Sequence, residues 1–175
     1  MRGHMPDLEL TRTRDDRKAY TLDGVGTLRL RGWTGRSATA ETTAGDRSWE
    51  LSQRGWLSRV IEAHDAAATL VGEYEPRTFR RGGTLTWDSR EYGLRPASAW
   101  RQRYALVVPS TDAEIAVIEG KGWGKRPVRV TVPDLSALPP GLLLFAVFIV
   151  RTLAEDAQSA AGASAAAGGA VVASG

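Results

Sequence analysis

From Leu8 to Val132 apolar and polar residues alternate with period two, interrupted by short clusters of turn-forming residues. Thr27-Leu28-Arg29-Leu30-Arg31 is the clearest case, with leucines on one face and arginines on the other. Leu8 and Leu10 predict a first strand, turned by Arg14-Asp15-Asp16-Arg17, and Tyr20 and Leu22 a second, closed by Asp23-Gly24. Further strand-like runs cover 37–43, 48–51, 58–63, 68–74, 77–79, 84–87, 92–95, 102–108, 114–119 and 128–132. These amount to about twelve strands at the spacing of an all-β barrel or sandwich. No βαβ alternation is present, which removes the nucleotide-binding α/β folds. A faint echo relates Gly26-Thr27-Leu28 to Gly83-Thr84-Leu85, and Trp49-Glu50-Leu51 to Tyr92-Gly93-Leu94. Its drifting offsets argue against a strict repeat array.

The pattern then changes. Residues 142–150 read LLLFAVFIV, apolar on every side. A surface helix would show one apolar stripe and one polar face, and a bilayer-spanning helix needs roughly 20 apolar residues. The run, preceded by Pro139-Pro140 and closed by Arg151, therefore predicts a helix over 139–158 enclosed by the preceding strands. Burying nine such side chains contributes on the order of 10–20 kcal/mol before entropy is counted. Beyond Ser159 only Ala, Gly, Ser and Val remain, so 159–175 is expected to be a disordered tail. Residues 1–6 hold either a tag scar (Gly3-His4-Met5) or a natural start at Met5, and are set aside. One domain over 7–158 is the expectation.

This layout resembles the tubby C-terminal-like superfamily, which includes tubby proteins, phospholipid scramblases and LURP-one-related proteins. The residues that carry the likeness are Gly83-Thr84-Leu85-Thr86-Trp87, Ile115-Ala116-Val117-Ile118-Glu119 and the apolar run 142–150. The resemblance implies an all-β fold with one buried C-terminal helix, a closed barrel of about twelve strands around a central apolar α-helix. The likeness is strongest to the small bacterial LURP-one-like members. The acidic Ca²⁺ loop of scramblases has no counterpart after the last strands.

Composition narrows the chemistry. The chain of 175 residues has no cysteine, which excludes disulfides, thiolate nucleophiles and Cys-ligated metals and fits a reducing compartment. The N-terminus lacks the apolar core of a signal peptide, so a cytoplasmic location is expected. Net charge is only +3 despite 23 basic residues, which argues for weak attraction to anionic surfaces rather than specific nucleic-acid binding.

Candidate reactive groups are sparse. His64 precedes Asp65, and neighbours on a strand point to opposite faces, so they read as an ordinary turn rather than a catalytic pair. Glu73 and Glu75 share a strand face, with Arg77 and Arg80 expected to compensate them. No catalytic residue, metal site or cofactor is predicted. The strongest local candidate is Gly120-Lys121-Gly122-Trp123-Gly124-Lys125-Arg126, whose glycines free backbone N–H groups to converge on an anion beside Lys121, Lys125 and Arg126. Arg77, Arg80 and Arg81 at the Gly82-Gly83 turn form a second basic cluster. If both occupy one end of a barrel, they could hold a phosphoinositide or another anionic headgroup, as the resemblance to tubby domains also implies. The six tryptophans read mainly as core or as a cap over a barrel end; Trp100 with Arg101 and Arg103 is a weak single-stranded nucleic-acid platform. The expected function is a non-enzymatic binding or scaffold domain touching anionic phospholipid. The alternative is a hydrolase-type enzyme whose site the sequence does not reveal. Oligomeric state and any protein partner stay open.

Overall fold

The computed structural model describes residues 7–32, 34–55, 59–78, 81–98, 102–120 and 128–168, with residues 165–168 described by their backbone alone. Twelve strands run in chain order: β1 (Asp7–Arg12), β2 (Ala19–Leu22), β3 (Gly26–Arg31), β4 (Ser37–Thr42), β5 (Ser48–Gln53), β6 (Ile61–Asp65), β7 (Leu70–Pro76), β8 (Gly83–Trp87), β9 (Arg90–Pro96), β10 (Arg103–Val108), β11 (Ala113–Glu119) and β12 (Val128–Thr131). One helix, α1, spans Pro140–Gly168.

Each strand pairs antiparallel with its neighbours in sequence, and β1 closes on β12 through Asp7↔Thr131, Leu8↔Val130, Glu9↔Arg129 and Leu10↔Val128. Polar groups reinforce the seam: the Thr131 hydroxyl donates to Asp7 Oδ1 at 2.7 Å, and Arg129 meets Glu9 at 3.3 Å. Closure leaves no unpaired edge to recruit another chain. The period-two pattern is the cause of the inward and outward faces; β8 buries Gly83, Leu85 and Trp87 and turns Thr84 and Thr86 outward.

The interior is occupied by α1. Every residue from Leu142 to Val150 is at most 1% exposed. Pro140 suits the first helical position because its missing N–H would have no helical acceptor there. The helix lies closest to β3 and β4, where the wall is thin: Gly26, Ala38 and Ala40. A β carbon at Gly26 would come within 2.9 Å of the Leu144 side chain. The wall from β7 to β9 packs toward the helix with larger side chains, Tyr74, Leu85, Trp87, Tyr92 and Leu94. Thr152 is buried one turn beyond the apolar run, and its hydroxyl is satisfied by the Phe148 carbonyl at 2.9 Å.

Four boundaries differ from the sequence expectation. Arg77 and Thr78 are not in a strand; they begin the β7–β8 connection, and Phe79 lies outside the described residues. The strand expected from 58 starts at Ile61, after a longer connection. Ala68 adopts φ 59° and belongs to the turn, so β7 begins at Leu70. Finally α1 does not stop at 158 but runs to Gly168, with Ser159 to Ser164 exposed. Alanine is the best helix former, and extending an existing helix avoids the cost of nucleation. The sequence echo is not a structural repeat. β3 and β8 lie five strands apart and therefore run in opposite directions, so Gly26 and Gly83 open strands at opposite ends of the barrel.

Candidate anion-binding rim

Alternating strand direction sorts the connections onto two rims. Helix contacts identify each. Gly141, at the start of α1, sits against Trp49 and Trp87, and Gly24 lies near Leu135; this is the entry rim. At the other end Gly120 packs on Val150 and Ala154, Arg36 meets Asp156 at 3.6 Å, and the Arg151 guanidinium lies 4.5 Å over the Tyr20 ring. The helix emerges there.

The exit rim carries the connections β1–β2, β3–β4, β5–β6, β7–β8, β9–β10 and β11–β12. Its described connection residues include eight cations: Arg14, Arg17 and Lys18 in the first connection, Arg36 in the second, Arg54 and Arg59 in the third, Arg77 and Arg81 in the fourth. Only two carboxylates, Asp15 and Asp16, accompany them. The entry rim reverses the balance, with Asp23, Asp46, Asp88, Asp112 and Asp134 against Arg47 alone. Hydroxyl donors from Thr42 and Ser136 hold the Asp46 and Asp134 carboxyls below the usual carboxylate range, so both stay charged in mild acid. The small net charge of the whole chain thus conceals two ends of opposite sign.

Of the six sequence-predicted site residues, Arg77 and Arg81 are described; both are exposed on the exit rim. Arg80, Lys121, Lys125 and Arg126 lie outside the described residues. The strand ends flanking the two clusters, Pro76 and Gly83 for one, Glu119 and Val128 for the other, are on the same exit rim. Sequence reasoning missed Arg14, Arg17, Lys18, Arg36, Arg54 and Arg59, which are scattered along the chain and gathered only by topology.

Other candidates resolve differently. His64 is in strand β6 rather than in a turn, opposite Glu50, beside a register shift at Ala63. Asp65 is engaged locally: its Oδ1 accepts from the Ala67 and Thr69 amides at 2.9 Å each. Glu73 and Glu75 do face outward together, yet the partner of Glu73 is Arg54, which bridges it at 3.2 Å to Glu62 on the adjacent strand. Among the described residues no ion pair joins Arg77 to Glu73 or Glu75, and Arg80 lies outside them. Trp49 and Trp87 pack edge to face at 5.6 Å over the helix entry, whereas Trp33, Trp56, Trp100 and Trp123 lie outside the described residues, as does Arg101. Arg103 is exposed at the start of β10.

One buried polar group had no sequence signal. Tyr74 is fully enclosed, its hydroxyl without a hydrogen-bond partner, and burial, then the nearby Tyr104 phenol, pushes its pKa well above the ordinary 10.0. Burial likewise raises Tyr104, whose hydroxyl meets Gln102 Oε1 at 3.3 Å. Both phenols therefore stay protonated and are poor nucleophiles or bases at neutral pH. Among the described residues no group of three or more His, Asp or Glu is placed to hold a metal ion, and no helix is long and apolar enough to cross a membrane. Compared with family models, with curated proteins and with solved structures, the chain matches none.

Proposed function

We propose that the chain is a non-enzymatic binding domain, cytoplasmic and peripheral to the membrane, whose exit rim docks on anionic phospholipid headgroups. The observation that carries this reading is the segregation of charge between the two sets of connections, eight described cations against two carboxylates on the exit rim and one cation against five carboxylates on the entry rim, with Arg151, Glu155 and Asp156 of α1 adding one cation and two carboxylates to the exit rim. A basic residue near an anionic membrane surface contributes about 1 kcal/mol. Several such residues, discounted for those already paired with Asp156, Glu62 and Glu73, suffice for reversible docking. The tubby-like layout, a twelve-stranded barrel around a central helix, supports the same reading through the resemblance drawn from the sequence.

The test is vesicle sedimentation with neutral and anionic membranes across a salt series. Binding should require anionic lipid and weaken as salt screens the guanidinium groups. Replacing Arg77, Arg80 and Arg81 together by Ala should weaken it, and so should replacing Lys121, Lys125 and Arg126, because both connections join strand ends on one rim. Equal sedimentation with neutral and anionic vesicles at low salt refutes the docking reading.

A further inference from the structure

We infer that the docked barrel stands end-on, with α1 along the membrane normal and its exposed last turns leading toward the bilayer. The inference rests on the docking reading above and adds the orientation. Three observations on described residues favour it. First, the barrel wall repels an anionic surface: the twelve strands carry eleven carboxylates and seven arginines. A barrel lying on its side would press that acidic wall, and part of the acidic entry rim, against the headgroups. Second, standing on the exit rim removes the entry rim from the interaction. Strands of six or seven residues run roughly 20 Å, and tilted as a closed barrel requires they hold the rims about 15 Å apart, nearly two Debye lengths of about 8 Å at physiological ionic strength. The distant carboxylates are then screened far more strongly than the near cations.

Third, the part of α1 that extends past the exit rim carries no charged side chain to oppose approach. The last charged residue of the chain is Asp156, already paired with Arg36 at 3.6 Å. From Ala157 onward the sequence has no ionisable side chain, and residues 159–164 of the helix are exposed. Ten residues of helix beyond Gln158 extend about 15 Å, roughly twice the depth of one headgroup layer and half that of the hydrocarbon core. The short uncharged segment thus reaches the headgroup region without having to span the bilayer.

The absence of native cysteine makes the test direct. Ala160→Cys and Ser110→Cys, at exposed positions beyond the exit rim and on the entry rim, each receive one environment-sensitive fluorophore. Vesicles carrying anionic lipid and a nitroxide-labelled headgroup quencher are then titrated, and sedimentation is measured on the same samples. The expected result is strong quenching at position 160 and none at position 110, with both proteins sedimenting alike. Comparable quenching at the two positions, or stronger quenching at 110, overturns end-on docking while leaving membrane binding intact. If neither protein sediments with anionic vesicles, the docking reading falls and the orientation falls with it.

Discussion

Gly141 lies against the indole of Trp87 so closely that a β carbon there would meet Cζ2 at 2.4 Å. Trp49 confines the same spot from the other side, at 2.7 Å and 2.8 Å from that hypothetical carbon, and the two rings pack edge to face. The start of the helix is thus wedged between two locked aromatic planes.

Gly141→Ala should therefore destabilise the protein, although alanine is the better helix former by about 1 kcal/mol. Overpacking of a well-filled site costs roughly 1–3 kcal/mol, and both rings are buried and packed on each other. A lower melting temperature is the expected outcome, read by circular dichroism. An unchanged or raised melting temperature would show that the entry rim relaxes.

Leu144→Asp and Phe148→Asp should each abolish folding, since both side chains are at most 1% exposed and the described core around them is hydrophobic. An unpaired buried charge costs several kcal/mol. The milder Phe148→Ala should fold with a loss of about 3–5 kcal/mol. Denaturant titration distinguishes the two classes; soluble, cooperative folding of either aspartate variant would rule out an enclosed helix.

Stability should fall in alkali through Tyr74. Its phenol keeps its proton in the folded state to a higher pH than in the unfolded chain, where it titrates near 10. Below that pH both states hold the proton and nothing is lost; above it only the folded state does, and stability declines by about 1.4 kcal/mol per pH unit. Tyr74→Phe should remove most of this decline and cost little at neutral pH, because the hydroxyl has no partner to lose. Denaturation midpoints compared at pH 8 and about pH 11 read the difference, and identical declines in the two proteins would contradict it.

Removing residues 159–175 should leave the melting temperature nearly unchanged, because the described side chains from Ser159 to Ser164 are exposed and bury nothing. The same deletion serves as a control in vesicle sedimentation, where the exit-rim cations it leaves in place should still support binding.

The fold was largely legible because period two and an all-round apolar run are local signals. The charged rim was not, and one misread run explains why. In a barrel of alternating strands the rim on which a connection falls depends on the parity of the strand count before it. Counting 77–79 as a strand shifts every later connection by one and sends 120–127 to the end opposite 32–36. The alternation Arg77-Thr78-Phe79 invites that reading, but Pro76 ends β7 and Gly82, at φ 94°, turns the chain back into β8 instead. Arg36, Arg54 and Arg59 carry no individual signal either, since isolated arginines beside glycine and serine occur in any loop. Tyr74 reads from sequence as one more inward aromatic; its orphaned hydroxyl depends on what surrounds it across the barrel.

The order of synthesis gives the central helix a further consequence. α1 follows all twelve strands in the chain, yet it fills the space around which they close. A nascent chain that has released β1 to β11 has two open edges and a hollow apolar lining, because β1 must wait for β12, more than a hundred residues later. Such long-range pairing is slow to form, and its unpaired intermediates are prone to aggregate. The barrel can thus close only when its filling arrives, so a message cut short before residue 150 yields no partial domain and leaves only chain for chaperones or proteases.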